Sequence, residues 1–494
     1  QARLALRGAA DRAAALGSHE QAASYLAQAA ELSPDAVERA LLLERQATEA
    51  DLAGRYERGL AAARAAVQFY EQQGETAAAA RARGVLGTLL IHAQHIQEAI
   101  AELEPAVAAL PQDTDPQVRA DVMAKLARAY YRNLEAQRSV DAAEEALVIA
   151  ERHALRRTAA EAMVTKGTAL SMLSRHHEAT ALLLGGMELA RREGDIATTL
   201  RAAANASYMV ASQQSGDEAL RIARDALALA RTVGDLGQIV WQAGNIAVGS
   251  TYSGLPLDPV LAEVDEVRAL ELEPADLHQL SERSFVPAMF RGRDVGDELE
   301  QWAAEARQRG DPQTIATAHT LMAQWAVARS DYRTASMEFE ANARLRPDVG
   351  GLSWAAFFAA LDGDAARART LLEQAKAGPF GGPAEQAARS ATSGLLAAFG
   401  ANTNEALPAF REALRLLRGI EARLETGFVA LAMGRTLDAG ILEVRQALEE
   451  ALATYERMGS EPMISQVKEL LAKPEPAVPA SLQPATEAEP EPAR

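Results

Sequence analysis

Cysteine is absent from this sequence of 494 residues. Its absence excludes disulfides, thiol nucleophiles, thiolate zinc sites and iron–sulfur clusters. Aromatic residues are scarce as well, at 5%, and no run of eighteen apolar residues occurs, so we expect no segment that spans a bilayer. Basic residues are outnumbered, with 50 Lys and Arg against 68 Asp and Glu. The resulting formal net charge of −18 argues against a nucleic-acid partner.

The motifs of common enzymes are missing too. The sequence contains no GxxxxGK[ST] phosphate-binding loop, no GxGxxG after a predicted strand, no GxSxG and no HExxH. We therefore predict no catalytic residues, no cofactor and no enzyme activity. A basic and apolar secretory leader is also lacking, which favours a cytoplasmic location. Because the first residue is Gln, we expect a fragment or a processed product.

Alanine is abundant and β-branched residues are few, a composition that favours helix throughout. The sequence divides into amphipathic segments of about 12–18 residues, separated by Gly, Asp and Pro. Small residues recur in register near the start of every second predicted helix, with a spacing of 37 residues and then of 40 four times. These residues are Ala22, Gly59, Ala99, Ser139, Ala179 and Ala219, with Ala29, Ala66, Ala106, Ala146, Gly186 and Ala226 seven residues later and Ala10, Ala47, Gly87, Ala127, Gly167 and Ser207 twelve residues earlier.

Ala, Gly or Ser at all eighteen positions lets two antiparallel helices approach closely. Since one helix pair cannot bury its apolar face alone, neighbouring pairs must stack. The order Gly17, Ala22, Leu26, Ala29 and Pro34 resembles the tetratricopeptide repeat. This resemblance implies an all-α fold, a right-handed superhelical solenoid of about 11–12 antiparallel helix pairs.

The register of the small residues suggests a division of the chain. Residues 1–253 are predicted to form a first tetratricopeptide-like array with a period of about 40 residues. In residues 254–311 the small residues lose their register, and we expect an irregular helical joint there. Residues 312–472 are predicted to form a second array. Residues 473–494 contain six prolines and little apolar sequence, so we expect a disordered Pro/Glu-rich tail.

The first helices of the stacked pairs are expected to line a concave groove. Positions i, i+4 and i+7 share one helix face, and on this face two successive units carry Arg201, Asn205, Tyr208, Trp241 and Asn245. Asn205 and Asn245 are one 40-residue unit apart, and an asparagine amide can pair with an extended peptide backbone. The pattern resembles the first-helix asparagines that hold a peptide in kinesin light chain and related bacterial proteins, although only two such residues occur here. We predict a peptide or partner site at these five residues, with ordinary polar groove residues as the open alternative.

The histidines are weaker candidates. His92 with His95, and His176 with His177, could in principle ligate a metal ion. His19 and His176 stand where tetratricopeptide repeats commonly have a turn tyrosine, which favours a packing role. A metal site also needs ligands that converge from another element, so we predict no metal site.

Other details resemble a particular bacterial setting. Gly194-Asp195, Gly234-Asp235, Gly310-Asp311 and the segment 451–459 are similar to the C-terminal repeats of signalling proteins with an upstream ATPase. That group includes class III adenylate cyclases and maltose-activator-like transcription regulators. The resemblance implies a non-catalytic interaction or regulatory scaffold, whose partner is another protein, a peptide or upstream domains of the same polypeptide. The alternative is a small-molecule sensor whose ligand occupies the concave groove.

Overall fold

The computed structural model describes residues 1–346, 350–378 and 381–472, so the predicted tail at 473–494 lies outside the described residues. These ranges form 25 α-helices, and no strand occurs within them. The helices are α1 (Ala2–Ala15), α2 (His19–Glu31), α3 (Ala36–Leu52), α4 (Tyr56–Gln72), α5 (Thr76–His92), α6 (Ile96–Ala109), α7 (Pro116–Arg132), α8 (Ala136–Arg152), α9 (Arg156–Met172), α10 (His176–Arg192), α11 (Ile196–Gln213), α12 (Gly216–Val233), α13 (Leu236–Tyr252), α14 (Leu257–Arg268), α15 (Pro274–Arg291), α16 (Gly296–Arg309), α17 (Pro312–Ala328), α18 (Tyr332–Leu345), α19 (Gly351–Leu361), α20 (Ala365–Ala377), α21 (Pro383–Phe399), α22 (Thr403–Gly419), α23 (Arg423–Thr436), α24 (Leu442–Met458) and α25 (Glu461–Leu471).

The recurrent small residues lie where the helices of a pair cross. All eighteen are buried, which confirms their predicted role in close packing. A Cβ atom at Gly167 would lie 3.0 Å from the carbonyl oxygen of Ala179 on the paired helix. The hydroxyl of Ser139 donates to the carbonyl oxygen of Ala127, 2.7 Å away. Any larger side chain at these crossings would separate the two backbones.

The Gly-Asp dipeptides mark the boundaries between helices. Gly234 follows α12 with φ of 76°, a left-handed conformation that an L side chain rarely adopts, and so it ends that helix. The next residue, Asp235, caps α13 by accepting a hydrogen bond from the backbone N–H of Gln238. Asp195 and Asp311 cap α11 and α17 in the same way, so a short sequence signal sets these helix starts.

The stacked pairs wind into a superhelix whose successive turns touch. Helix α11 contacts α21, α13 contacts α23, and α15 contacts α25, so the contacting helices are ten apart in chain order. Five helix pairs therefore complete about one superhelical turn. The concave side of the superhelix therefore lies between turns that touch each other, which determines where a ligand could bind.

Contacts between turns fall into two groups. The first turn interface joins α1–α7 to α12–α17, and the second turn interface joins α11–α15 to α21–α25. In the first, Tyr56 donates its hydroxyl hydrogen to Asp276 Oδ1 at 2.8 Å. In the second, the rings of Phe290 and Phe428 lie 6.0 Å apart, and Arg423 donates to the carbonyl oxygen of Ser253 at 3.0 Å.

Helices continue through residues 254–311, where we expected an irregular joint. Helix α14 has only 12 residues, and α15 packs directly against α13. Trp302, in this segment, is buried and donates its indole N–H to the carbonyl oxygen of His278. One apolar core then runs from Leu257 to Leu470. The division of the chain into two arrays stays a proposal.

Candidate functional site: the enclosed concave cavity

A cavity of about 470 Å³ lies inside the superhelix. Its wall is formed largely by the odd-numbered helices α11, α13, α15, α17, α19, α21 and α23, the first members of their pairs. These helices belong to two successive turns, so the wall combines residues that are far apart in the sequence. The cavity is a place where a ligand would be surrounded by protein on several sides.

Four of the five predicted groove residues line this cavity. They are Asn205, Tyr208, Trp241 and Asn245. Arg201 does not line it: its guanidinium donates to Thr165 Oγ1 at 3.0 Å and to the carbonyl oxygen of Glu161 at 3.1 Å. Burial lowers the pKa of Arg201, and the nearby Glu161 carboxylate partly offsets that effect. Arg201 therefore ties α11 to α9 instead of facing a ligand.

The two asparagines already make hydrogen bonds within the protein. Asn205 Nδ2 donates to the carbonyl oxygen of Arg201 at 3.0 Å, one helical turn earlier. Asn245 Nδ2 donates to the carbonyl oxygen of Ala204 at 3.2 Å, and its Oδ1 accepts from Arg283 Nη1 at 3.3 Å. Their amide groups are thus held in fixed orientations, which lowers the entropy cost of engaging a ligand.

Arg283 organises the wall beside these asparagines. Its guanidinium carbon lies 4.9 Å from the centre of the Trp241 ring, a cation–π contact, and its Nε lies 3.1 Å from Glu282 Oε1. Burial raises the pKa of Glu282, and the Arg283 charge opposes that rise. Sequence reasoning missed both residues because they lie on α15, where the repeat register is lost.

The opposite wall is aromatic. Phe358 packs against Phe339, Trp354 and Phe428, with ring centres 5.6, 6.1 and 6.2 Å away. All four rings line the cavity. An apolar wall of this kind contributes most of the binding free energy in typical ligand pockets, while a few polar groups fix orientation.

A buried carboxyl stands beside the aromatic wall. Glu425, on α23, lines the cavity, and its Oε2 is buried with no hydrogen-bond partner among the residues that the structure describes. Burial, reinforced by the charge of Glu385, raises the pKa of Glu425 to about 8. Across the turn contact, the hydroxyl of Tyr252 accepts a hydrogen bond from Gln324 Nε2. No periodic signal in the sequence links these residues, because they come from different turns of the superhelix.

Two of the candidate histidines, His19 and His92, contact carboxylate or backbone oxygens of other helices. His19 Nδ1 lies 2.7 Å from Glu49 Oε2, and its Nε2 lies 2.7 Å from the carbonyl oxygen of Val233 in the next turn. His92 Nδ1 lies 2.6 Å from Asp51, in another helix. Over the described ranges, no three His, Asp or Glu side chains converge as a set able to hold a metal ion.

Within the same ranges, no helix combines the length and apolar character needed to cross a membrane.

No family model matches the chain, and no curated protein matches it either. Among solved structures, a Rap protein complexed with competence and sporulation factor is similar over 70% of this chain and 98% of its own, with 16% identity and a TM-score of 0.52. The Cut9–Hcn1 hetero-tetramer of APC/C (95% and 84% covered, 14% identity) and a monomeric IFIT1 mutant with Gppp-AAAA (79% and 90% covered, 13% identity) each have a TM-score of 0.40. At these identities the likeness concerns the fold alone, and the fold is a tetratricopeptide-like helical solenoid.

Proposed function

We propose that the cavity binds a peptide segment of a protein partner and that the chain acts as a non-catalytic interaction module. The observation that carries this proposal is the convergence of first helices from two turns on one cavity of about 470 Å³. Its wall joins aromatic rings to a small number of oriented amides. That combination suits an extended peptide, whose backbone offers donors and acceptors while its side chains fill apolar pockets.

The polar groups available to a peptide backbone lie mainly on α11, α13 and α17. Asn205 and Asn245 present amides from adjacent units, and Gln313 and Gln324 present two more from α17. Tyr208 adds a ring that is 59% exposed. A peptide that ran across these helices would meet a new amide at each unit, which favours an extended conformation.

A small-molecule sensor remains the second candidate. The specific observation in its favour is the cavity volume, because pockets for drug-sized ligands measure about 300–1,000 Å³. A ligand between two turns would alter how closely they pack, and so would change the pitch of the superhelix. The proposed setting, the C-terminal part of a larger bacterial signalling protein with an upstream ATPase or cyclase, fits either function and rests only on the sequence resemblance.

The expectation of no nucleic-acid partner rests on net charge alone and stays a prediction. The IFIT1 structure contains Gppp-AAAA, so the comparisons do not support that exclusion. The cavity wall itself carries both signs of charge, with Glu282, Glu385, Glu421 and Glu425 beside three arginines. A binding assay with short RNA oligonucleotides over a range of salt concentrations would test the prediction of no nucleic-acid partner. Binding through phosphate contacts would weaken steeply as the salt concentration rises.

The experiment for the proposed function fills the cavity. Thr317 lines it, so Thr317→Trp should occupy part of the ligand space, whereas Thr370, exposed on α20, gives Thr370→Trp as a matched control. Heptapeptides selected from a displayed random library should bind the native protein and the control equally. Thr317→Trp should weaken their binding at least tenfold. Peptides that bind all three proteins equally, or a library that yields no binders, would contradict the proposal.

The asparagine pair provides a finer test. The double variant with Asn205→Ala and Asn245→Ala should weaken peptide binding with little change in the melting temperature. Because Asn245 also holds Arg283, the single change Asn205→Ala is the cleaner variant. For the alternative function, the same variants are screened by thermal shift against a library of small metabolites, where a shift abolished by Thr317→Trp would favour the sensor.

A further inference from the structure

The carboxyl of Glu425 differs from the other acidic groups that have defined contacts in the cavity wall. Glu282 lies 3.1 Å from Arg283 Nε. Glu421 accepts hydrogen bonds from the hydroxyl of Ser215 at 2.6 Å and from a backbone N–H at 3.0 Å. Glu425 Oε2, by contrast, is buried without a donor anywhere in the described ranges. Leaving a buried acceptor without a donor is costly, so this one calls for an explanation.

A second acceptor without a donor lines the same cavity. Gln324 Oε1 is buried and accepts no hydrogen bond from the described part of the chain, while Gln324 Nε2 donates to the Tyr252 hydroxyl. Tyr252 connects this amide to the Glu425 region, because Arg423, two residues before Glu425, donates to the carbonyl oxygen of Ser253, the residue after Tyr252, at 3.0 Å. The Glu425 carboxylate also raises the pKa of Tyr252, after burial as the larger cause. Glu425 and Gln324 therefore offer two unpaired acceptor oxygens beside one tyrosine.

The groups around these acceptors suit a cation with an apolar stem. Tyr252, Trp354 and Phe428 all line the cavity, and aromatic faces attract ammonium and guanidinium groups. A lysine or arginine side chain could place its methylene groups against the rings and its N–H donors on the two oxygens. The formal net charge of −18 would also speed the approach of a basic partner.

We propose that Glu425, Gln324 and Tyr252 form a subsite for the basic side chain, lysine or arginine, of a peptide bound in the cavity. This inference rests on the proposed function, because it assumes that a peptide occupies the cavity. A metal ion fits poorly, because over the described ranges no three His, Asp or Glu side chains converge, and metal sites of this kind need several oxygen ligands. A neutral donor would not compensate the charge that the Glu425 carboxyl acquires when it loses its proton, whereas a cation would.

Binding of a cation at this subsite should release a proton. With its pKa at about 8, the Glu425 carboxyl is mostly protonated at pH 7, and a bound cation favours its charged form. The titratable groups that face it are Glu385, Tyr252 and Tyr455. The affinity for a basic peptide should therefore fall about tenfold for each pH unit below 8. Calorimetry at pH 7, in two buffers of different ionisation enthalpy, should show that binding releases nearly one proton.

The test uses the full chain and peptides selected from a displayed random heptapeptide library. Selection on the native protein should enrich Lys or Arg at one position. Replacement of that residue by citrulline or norleucine should weaken binding at least tenfold, and Glu425→Gln should cause a similar loss. In the Glu425→Gln variant the peptide replacement should cost nothing further, because the two changes remove the same contact.

Controls separate this inference from the proposed function. Glu373→Gln removes one negative charge from the exposed side of α20 and should leave peptide binding unchanged. Peptides that bind in the cavity, as judged by Thr317→Trp, but show no basic residue and no dependence on Glu425 would overturn the subsite and leave the proposed function intact. A library without cavity-dependent binders would overturn both. Agmatine and 1,5-diaminopentane show whether the cation belongs to a peptide or to a free amine. If these amines bind in a Glu425-dependent way and no peptide binds, the proposal that a peptide supplies the cation is wrong.

Discussion

The two turn interfaces of the superhelix are built from different chemistry. The first turn interface places ionisable groups in the interior: Tyr56 donates to Asp276, and His19 bonds to a carbonyl of the following turn. The second turn interface combines hydrogen bonds, such as that from Arg423 to Ser253, with aromatic and apolar contact, and Phe290 and Phe428 belong to a single core that continues to the end of α25. Both interfaces join helices about ten apart in chain order, so the superhelix winds in the same way at each. The contacts that hold the turns together differ.

This difference suggests different tasks for the two interfaces. Buried carboxylates and histidines contribute little net stability, and their contribution depends on pH. Apolar contact contributes stability that is nearly independent of pH. The cavity is bordered by the second turn interface. Phe358 and Phe428 of its aromatic wall belong to the apolar core that runs from Leu257 to Leu470. The first turn interface should loosen as the pH rises through 6, because its buried aspartates then lose their protons.

The largest effect should come from removing an aromatic ring at the second turn interface. Phe290 is buried, and Phe290→Ala should lower the free energy of unfolding by about 3–5 kcal/mol through lost burial and a cavity. Chemical denaturation measures the loss, and hydrogen exchange should show faster exchange in α23–α25. Phe399 is 45% exposed, so Phe399→Ala is the control and should cost less than about 1 kcal/mol. Equal losses for the two variants would contradict an aromatic second interface.

The next effect is a pH dependence at the first turn interface. Burial raises the pKa of Asp276 to about 6, and burial likewise raises that of Asp235 to about 6. Because these pKa values exceed that of an aspartate in the unfolded chain, the folded state binds protons at these two groups more tightly than the unfolded state does. The contribution of these two aspartates to the stability of the interface is therefore fully present below about pH 4 and is lost as the pH rises through 6.

Asp276→Asn tests this expectation, since asparagine still accepts the Tyr56 hydrogen bond but carries no charge. At pH 7.5 the variant should stabilise the first turn interface by about 2–3 kcal/mol, with no gain at pH 4. Hydrogen exchange of α3, α4 and α15, corrected for intrinsic rates, measures the local opening free energy. Asp265→Asn, an exposed change on α14, should have no effect. A gain that is the same at both pH values would refute the role of the charge.

The helix pairs, unlike the turn interfaces, should respond alike in both halves. A Cβ atom at Gly87 would lie 2.6 Å from Leu103 Cδ1, and one at Gly394 would lie 3.1 Å from the Phe410 ring. Gly87→Ala and Gly394→Ala should each destabilise the protein by about 1–2 kcal/mol in thermal or urea unfolding. Gly419 ends α22 with no atom near its Cβ position, so Gly419→Ala should be neutral or stabilising by about 0.5 kcal/mol. If only one of Gly87→Ala and Gly394→Ala destabilised the protein, the packing of the helix pairs would also differ between the two halves.

The helix pairs could be predicted from the sequence, and the turn interfaces could not. Ala22 and Ala29 face a helix only a few residues away, so a short repeat encodes their packing. Contacts between turns join residues about 200 positions apart and depend on the small rotation added at each pair. Asn205 and Asn245 were found because they share a position in adjacent units. Glu425 was not, because its neighbours across the cavity come from helices that no repeat relates to α23.

Surface ion pairs should give the smallest effect and should not distinguish the two halves. Arg64 lies 2.6 Å from Glu98 in the first half, and Arg411 lies 2.9 Å from Glu443 in the second, with all four side chains at least 43% exposed. Each pair gains little in water because solvent screens it and because fixing two long side chains costs entropy. Arg64→Ala and Arg411→Ala should each change the free energy of unfolding by less than about 0.5 kcal/mol, and less at 1 M salt. Losses above about 1 kcal/mol that persist at high salt would mean that such pairs, and not the chemistry of the turn interfaces, set the stability of the superhelix.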